Sequence, residues 1–134
     1  VAFRAFVIWL ALLAVAVLNG GFRQAVLIPR YGELTGHQLS TVLLCAGIVL
    51  VTYAAVPWIR PADSRAAIVM GIAWVLLTLT FEFSFGLLRG QELGDLLGDY
   101  DVSKGRIWVL VLVTTGVAPY ATGVVRDVII PPAR

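Results

Sequence analysis

Residues Ala66–Leu88 read AAIVMGIAWVLLTLTFEFSFGLL, a run of 23 residues with one ionisable side chain, Glu82. A helix that crosses the hydrocarbon core of a bilayer needs about 20 mostly apolar residues, and this stretch supplies them without a break. It lacks the period-two alternation of a membrane barrel strand. Backbone groups in lipid have to be satisfied within the segment, which a helix does and an isolated strand does not. The run predicts a spanning helix with Asp63 or Ser64 as its N-cap.

Three more segments follow the same rule. The first is expected over residues 5–28, with Pro29 stopping it. The second is expected over 36–59, opened by a Thr35/Gln38 capping box near Gly36 and closed by Pro57 and Pro61. The fourth is expected over 106–125, with Ser103 as a cap and Pro119 as a kink. The first apolar run has no small-residue cleavage signature, so it reads as a retained helix rather than a signal peptide. The expected fold class is all-α, a polytopic membrane protein forming a single four-helix transmembrane domain over residues 1–134.

Composition agrees with this reading. The 134 residues are 60% hydrophobic and 13% charged, with mean hydropathy +0.93. A soluble domain averages about 45–50% apolar and about 25% charged, and disorder requires low hydrophobicity. Both classes are excluded. Ten Lys and Arg against eight Asp and Glu leave a net charge of +2, and the basic residues are scattered singly. No row of cations is available for phosphates, so nucleic acid is not an expected partner. The lone Cys45 lies in an apolar run and reads as a small buried hydrophobe.

Four spans place both ends of the chain on one side of the bilayer, here side A. That side holds Arg4, Arg60, Arg65, Arg126 and Arg134, while side B holds Arg23, Arg30, Arg89, Lys104 and Arg106. The positive-inside tally is even, which is compatible with insertion in both orientations. The longer, more acidic links on side B point to an outer face and to cytoplasmic termini. Within the last link, Leu93, Leu96, Leu97 and Tyr100 recur at helical spacing, predicting a short interfacial helix over Gln91–Asp101. Gly86, Gly90, Gly94 and Gly98 recur every four residues there, and read as glycine punctuation at a membrane exit rather than as a packing zipper.

The templates for chemistry fail. One His and one Cys on different segments give no zinc or haem spacing. Asp99, Asp101 and Ser103 imitate the start of a calcium loop, but Lys104 and Leu110 stand where a glycine and a glutamate are needed. No phosphate-cradling loop, nucleophile elbow or H-E-x-x-H is present. No catalytic residue, metal ligand or cofactor is assigned.

Glu82 remains, about six residues before the end of its helix and so roughly 9 Å inside it at 1.5 Å per residue. A carboxylate at that depth is costly unless protonated, paired or facing a wet cavity. Asn19 and Arg23 share a face of the first helix and reach a similar depth, and His37 and Arg106 open the second and fourth helices at the same end. The five predict one polar cluster, either an Arg–Glu clamp between helices or an ion or headgroup site. Thr114, Ala118 and Thr122 recur every four residues around Gly116 and predict a close-packing helix face. Trp58 and Trp108 fit span ends; Trp9 and Trp74 lie deeper and are expected to pack or to face lipid.

The segments Asn19-Gly-Gly-Phe-Arg23, Gly36-His-Gln-Leu-Ser40, Phe81-Glu-Phe-Ser-Phe-Gly86 and Asp99-Tyr-Asp-Val-Ser-Lys-Gly-Arg-Ile-Trp108 together resemble a group of small bacterial four-span integral membrane proteins. The resemblance covers most of the chain. It implies a bacterial inner-membrane location and brings no activity, cofactor or mapped site. The glycine- and asparagine-rich signature of fluoride channels and the first-helix glutamate of small multidrug exporters are both lacking.

Three functions are compatible with these features. The foremost is an accessory or scaffolding subunit of a larger membrane complex, partnered by other membrane subunits or by itself. The alternative is a small oligomeric ion or solute transporter using Glu82 and the Asn19/Arg23 cluster. A lipid-modifying enzyme ranks last, for want of a nucleophile and base.

Overall fold

A computed structural model describes residues 2–90, 92, 94 and 109–129. It is helical throughout, with α1 over Ala2–Phe22, a π-helical turn over Arg23–Leu27, α2 over Ile28–Tyr31, α3 over Glu33–Ile59, α4 over Ser64–Leu88 and α5 over Val109–Val125. Three helical segments are long and apolar enough to cross a membrane: Ala2–Tyr31, Glu33–Ile59 and Ser64–Leu88. The fourth, α5, is apolar but shorter. Its expected first turn at 106–108, the interfacial helix over Gln91–Asp101 and the Ser103 cap lie outside the described residues.

Pro29 does not end the first helix. The π turn sits directly ahead of it, with the Ile28 N–H donating to the Arg23 carbonyl five residues back, and helix continues to Tyr31. A wider turn and a proline are both recognised sources of a bend, and here they coincide. The chain then reverses at Gly32, whose φ of +89° is open to glycine and strained for other residues. Gly36 returns against α2 so closely that a Cβ there would stand 2.9 Å from the Ile28 backbone nitrogen. Gly32, rather than a Thr35/Gln38 capping box, therefore opens α3, because the reversal needs positive φ before it needs a side-chain cap. Asp63 caps α4 as expected, accepting from the Ala66 N–H at 2.8 Å.

Pro57 lies inside α3 and does not close it; Arg60 does, in the left-handed conformation at φ 51°. A proline in a helix leaves the carbonyl four residues earlier without its donor, here that of Tyr53. Arg126, just past α5, supplies one: its Nη1 donates to the Tyr53 carbonyl at 3.3 Å, with the guanidinium over the Tyr53 ring. Arg4 donates to the Trp58 carbonyl at 2.8 Å and lies over that indole, and Arg60 Nε donates to the Pro57 carbonyl at 3.2 Å. Three cations thus complement the negative end of the α3 dipole. At the end of α5, Asp127 takes a left-handed φ of 58° and Val128 donates back to the Gly123 carbonyl, a Schellman closure that buries Ile129 against Gly123.

Around the bundle the helices follow the order α1, α3, α5, α4, and α1 touches α4 only lightly. The core gathers Trp9 and Leu12 of α1, Leu44, Ile48 and Ile59 of α3, Met70 and Trp74 of α4, and Val111 and Ala118 of α5. Large apolar side chains such as Leu18, Leu50, Leu76 and Val113 point outward on every helix of the bundle, an arrangement suited to hydrocarbon rather than water. The tightest crossing joins α4 to α5, where a Cβ on Gly71 would stand 2.9 Å from the Gly116 carbonyl carbon. Small residues permit this approach of two backbones.

Candidate functional site

Five hydroxyls in the bundle are satisfied within their own helix. Thr41, Thr52, Thr80, Thr115 and Thr122 each donate to the carbonyl four residues earlier, at 2.6 to 2.9 Å, the usual solution for a threonine in an apolar helix. What remains is a small set of polar side chains that reach across helices.

Asn19 of α1 meets Ser40 of α3. Its Nδ2 donates to the Ser40 carbonyl at 3.1 Å, and the Ser40 hydroxyl donates to its Oδ1. The pair is reciprocal, and Ser40 is fully buried. One turn earlier on α3, His37 is also buried. Arg23 sits in the π turn, with a guanidinium nitrogen 3.7 Å from where a Gly20 Cβ would be, so its side chain runs back along α1.

Trp9 of α1 meets Thr78 of α4, its indole N–H donating to Oγ1 at 3.0 Å. Trp74 returns the link, donating to the Ala5 carbonyl at 3.0 Å. Both deep tryptophans therefore pack and bridge helices. Trp58 is exposed at the end of α3, and Trp108 lies outside the described residues.

Below the Trp9–Thr78 link lies a cavity of about 60 Å³. All four long helices contribute to it, including Leu12, Leu44, Thr78, Glu82 and Thr115. Glu82 is half-buried and stands one helical turn beyond Thr78 on the same face. A polar cavity holds water once it offers about 10–15 Å³ to a water-sized probe and supplies two or more polar partners. This one has the room, but its wall is mostly apolar, and the Thr78 hydroxyl beside Glu82 already accepts from Trp9.

Of the five residues expected to form one polar cluster, four are described. Asn19 is engaged by Ser40, Arg23 lies along α1 beside Gly20, His37 is buried at the start of α3, and Glu82 lines the cavity. Arg23, His37 and Glu82 each engage other groups. Arg106 lies outside the described residues. Of the expected packing face, Ala118 and Thr122 are buried and Thr114 is half-buried; Thr115 and Gly116 carry the inward contacts beside them. Gly86 is buried, whereas a Cβ on Gly90 or Gly94 would meet nothing within 4 Å; Gly98 lies outside the described residues.

Sequence reading missed Ser40, Thr78 and Gly71. Ser40 and Thr78 were legible only as hydroxyls within apolar runs, and their partners are set by helix order. Gly71 carried a usable signal, a glycine inside one span matched by Gly116 inside another. Among the described residues no group of three His, Cys, Asp or Glu side chains could hold a metal ion. The chain matches no family model, no curated protein and no solved structure.

Proposed function

We propose that this protein is a four-span integral membrane protein, with both ends of the chain on one side, serving as an accessory or scaffolding subunit of a larger membrane complex. The observation that supports this reading is the use made of the polar side chains that reach between helices. Asn19–Ser40, Trp9–Thr78, Trp74–Ala5, Arg4–Trp58 and Arg126–Tyr53 all join one helix to another. They lock the bundle, and the outer faces are left apolar for lipid and for neighbouring spans.

Purification from native membranes in mild detergent tests this. A scaffold brings other membrane subunits with it at fixed stoichiometry, and that ratio survives Glu82→Gln. A second reading, a small oligomeric transporter, is favoured by one observation: Glu82 lines a cavity to which all four helices of the bundle contribute. It predicts a homo-oligomer that passes ions in liposomes, with flux abolished by Glu82→Gln. That result would overturn the scaffold reading.

A further inference from the structure

The last turns of α3 gather more positive charge than that helix end can use. Arg126 donates to the Tyr53 carbonyl, Arg60 to that of Pro57 and Arg4 to that of Trp58. The three carbonyls span five residues of helix, roughly 7.5 Å at 1.5 Å per residue. The arginines reach them from three separate places: the first turn of α1, the residue that closes α3, and the residue after α5. Arg60 does so from a φ of 51°, the left-handed conformation that usually falls to glycine at a helix end.

A helix C-terminus carries about half a negative charge, and three guanidiniums exceed it several times over. Among the described residues no carboxylate pairs with any of the three. Asp63 and Asp127 are the acids at this end, and Asp63 accepts from the Ala66 N–H instead. Each guanidinium has five N–H donors, of which the bonds to α3 use one apiece. All three arginines are exposed, so the remaining donors are open to a ligand.

The group is also held in place. Arg4 lies over the Trp58 ring and Arg126 over that of Tyr53, which leaves less side-chain freedom to lose on binding. Three forks converging from three segments suit a phosphate, which offers three acceptor oxygens. A carboxylate offers two, enough for one fork. The exposed Tyr53 and Trp58 rings mark this end as a boundary between hydrocarbon and headgroups, a level at which phosphates abound.

We propose that the end of α3 is a binding site for one phosphate group, held among Arg4, Arg60 and Arg126. The group is that of a phospholipid headgroup or of a free phosphate, since the recognition chemistry is the same. The inference does not rest on the scaffold reading.

Thermal unfolding in a phosphate-free detergent, titrated with sodium phosphate or with dioleoyl phosphatidylglycerol, tests it. The controls are sodium acetate at the same ionic strength and dioleoylglycerol, which shares the acyl chains and lacks the phosphate. At least one phosphate-bearing additive raises the melting temperature above its control. A rise with phosphatidylglycerol alone assigns the site to a headgroup, and a rise with sodium phosphate shows that the free ion suffices. Arg60→Gln and Arg126→Gln each move the midpoint of the titration about fivefold higher, the effect of one basic side chain at an anionic group. The midpoint is read within each variant, so a lower starting stability does not obscure it. Arg65→Gln, at the same end but off the α3 carbonyls, moves it less. An equal rise with acetate shows that any anion suffices, a carboxylate partner included, and overturns the proposal. So does a rise with phosphatidylglycerol alone that dioleoylglycerol matches, or no rise with either phosphate-bearing additive. Equal shifts for Arg65→Gln and Arg60→Gln would mean diffuse surface charge rather than a site, and the proposal fails.

Discussion

Replacing Gly71 with alanine adds one methyl group at the place where α4 and α5 come closest. That methyl would stand 2.9 Å from the Gly116 carbonyl carbon and nearer still to its oxygen, where ordinary contact begins at 3.4 Å. The obstacle is backbone, which cannot swing aside as a side chain does. The two helices must part by at least the half ångström that separates those values. Parting them loosens contacts along the whole crossing, including buried Met70, Trp74, Val111 and Ala118. Overpacking of this kind costs about 1–3 kcal/mol and occasionally more, and the upper end is expected because rigid helices transmit the shift. Gly21 provides the control: it also lies in a helix, but a Cβ there meets nothing within 4 Å. Gly21→Ala is expected to be neutral or stabilising by about 0.5–1 kcal/mol, the helix-propensity difference. Thermal unfolding in one detergent, followed by circular dichroism, compares the two directly. Gly71→Ala should melt well below wild type and Gly21→Ala at or above it. Equal melting points for the two variants would refute the close crossing.

Other substitutions probe the links between helices. Asn19→Leu removes both hydrogen bonds to Ser40 and should destabilise by about 1–2 kcal/mol, measured by the same melts; an unchanged melting point means the pair does not form. Trp9→Phe keeps the ring but removes the donor to Thr78, with an expected loss of about 0.6–1.7 kcal/mol that should largely vanish in a Thr78→Val background. Arg23→Gln and Glu82→Gln test whether the two charges meet. If they do, each single change lowers stability and the double mutant recovers part of the loss, whereas additive losses exclude contact. Arg126→Gln leaves the Tyr53 carbonyl with a weaker donor, and a loss of less than about 1 kcal/mol is expected at a position this exposed.

The helices were legible in the sequence because hydropathy acts over whole segments. Twenty apolar residues specify a helix whatever its neighbours, and the Asp63 cap is a local signal of the same robust kind. Pro29 and Pro57 were read as boundaries because a proline removes one donor. The structure accommodates that loss at Pro29 with a π turn and at Pro57 with an arginine from beyond α5. Neither device is visible within the segment concerned. Gly32 replaced Thr35/Gln38 as the start of α3 for a related reason: the reversal from α2 is a backbone requirement that a capping motif does not encode. The polar residues were recognised individually, but their grouping depends on which helices are neighbours. With α3 beside α1, Asn19 finds Ser40, and with all four helices converging, Glu82 lines a cavity between them.

Cysteine accessibility tests the four-span arrangement most directly. In a background with Cys45 replaced, single cysteines are introduced at Ala62, exposed in the turn between α3 and α4, and at Gly94, exposed beyond the end of α4. Each is treated with a membrane-impermeant maleimide in intact cells and in everted vesicles. The arrangement predicts that the two positions label from opposite sides, one in cells and the other in vesicles. Labelling of both from the same side alone would contradict a membrane crossing by α4.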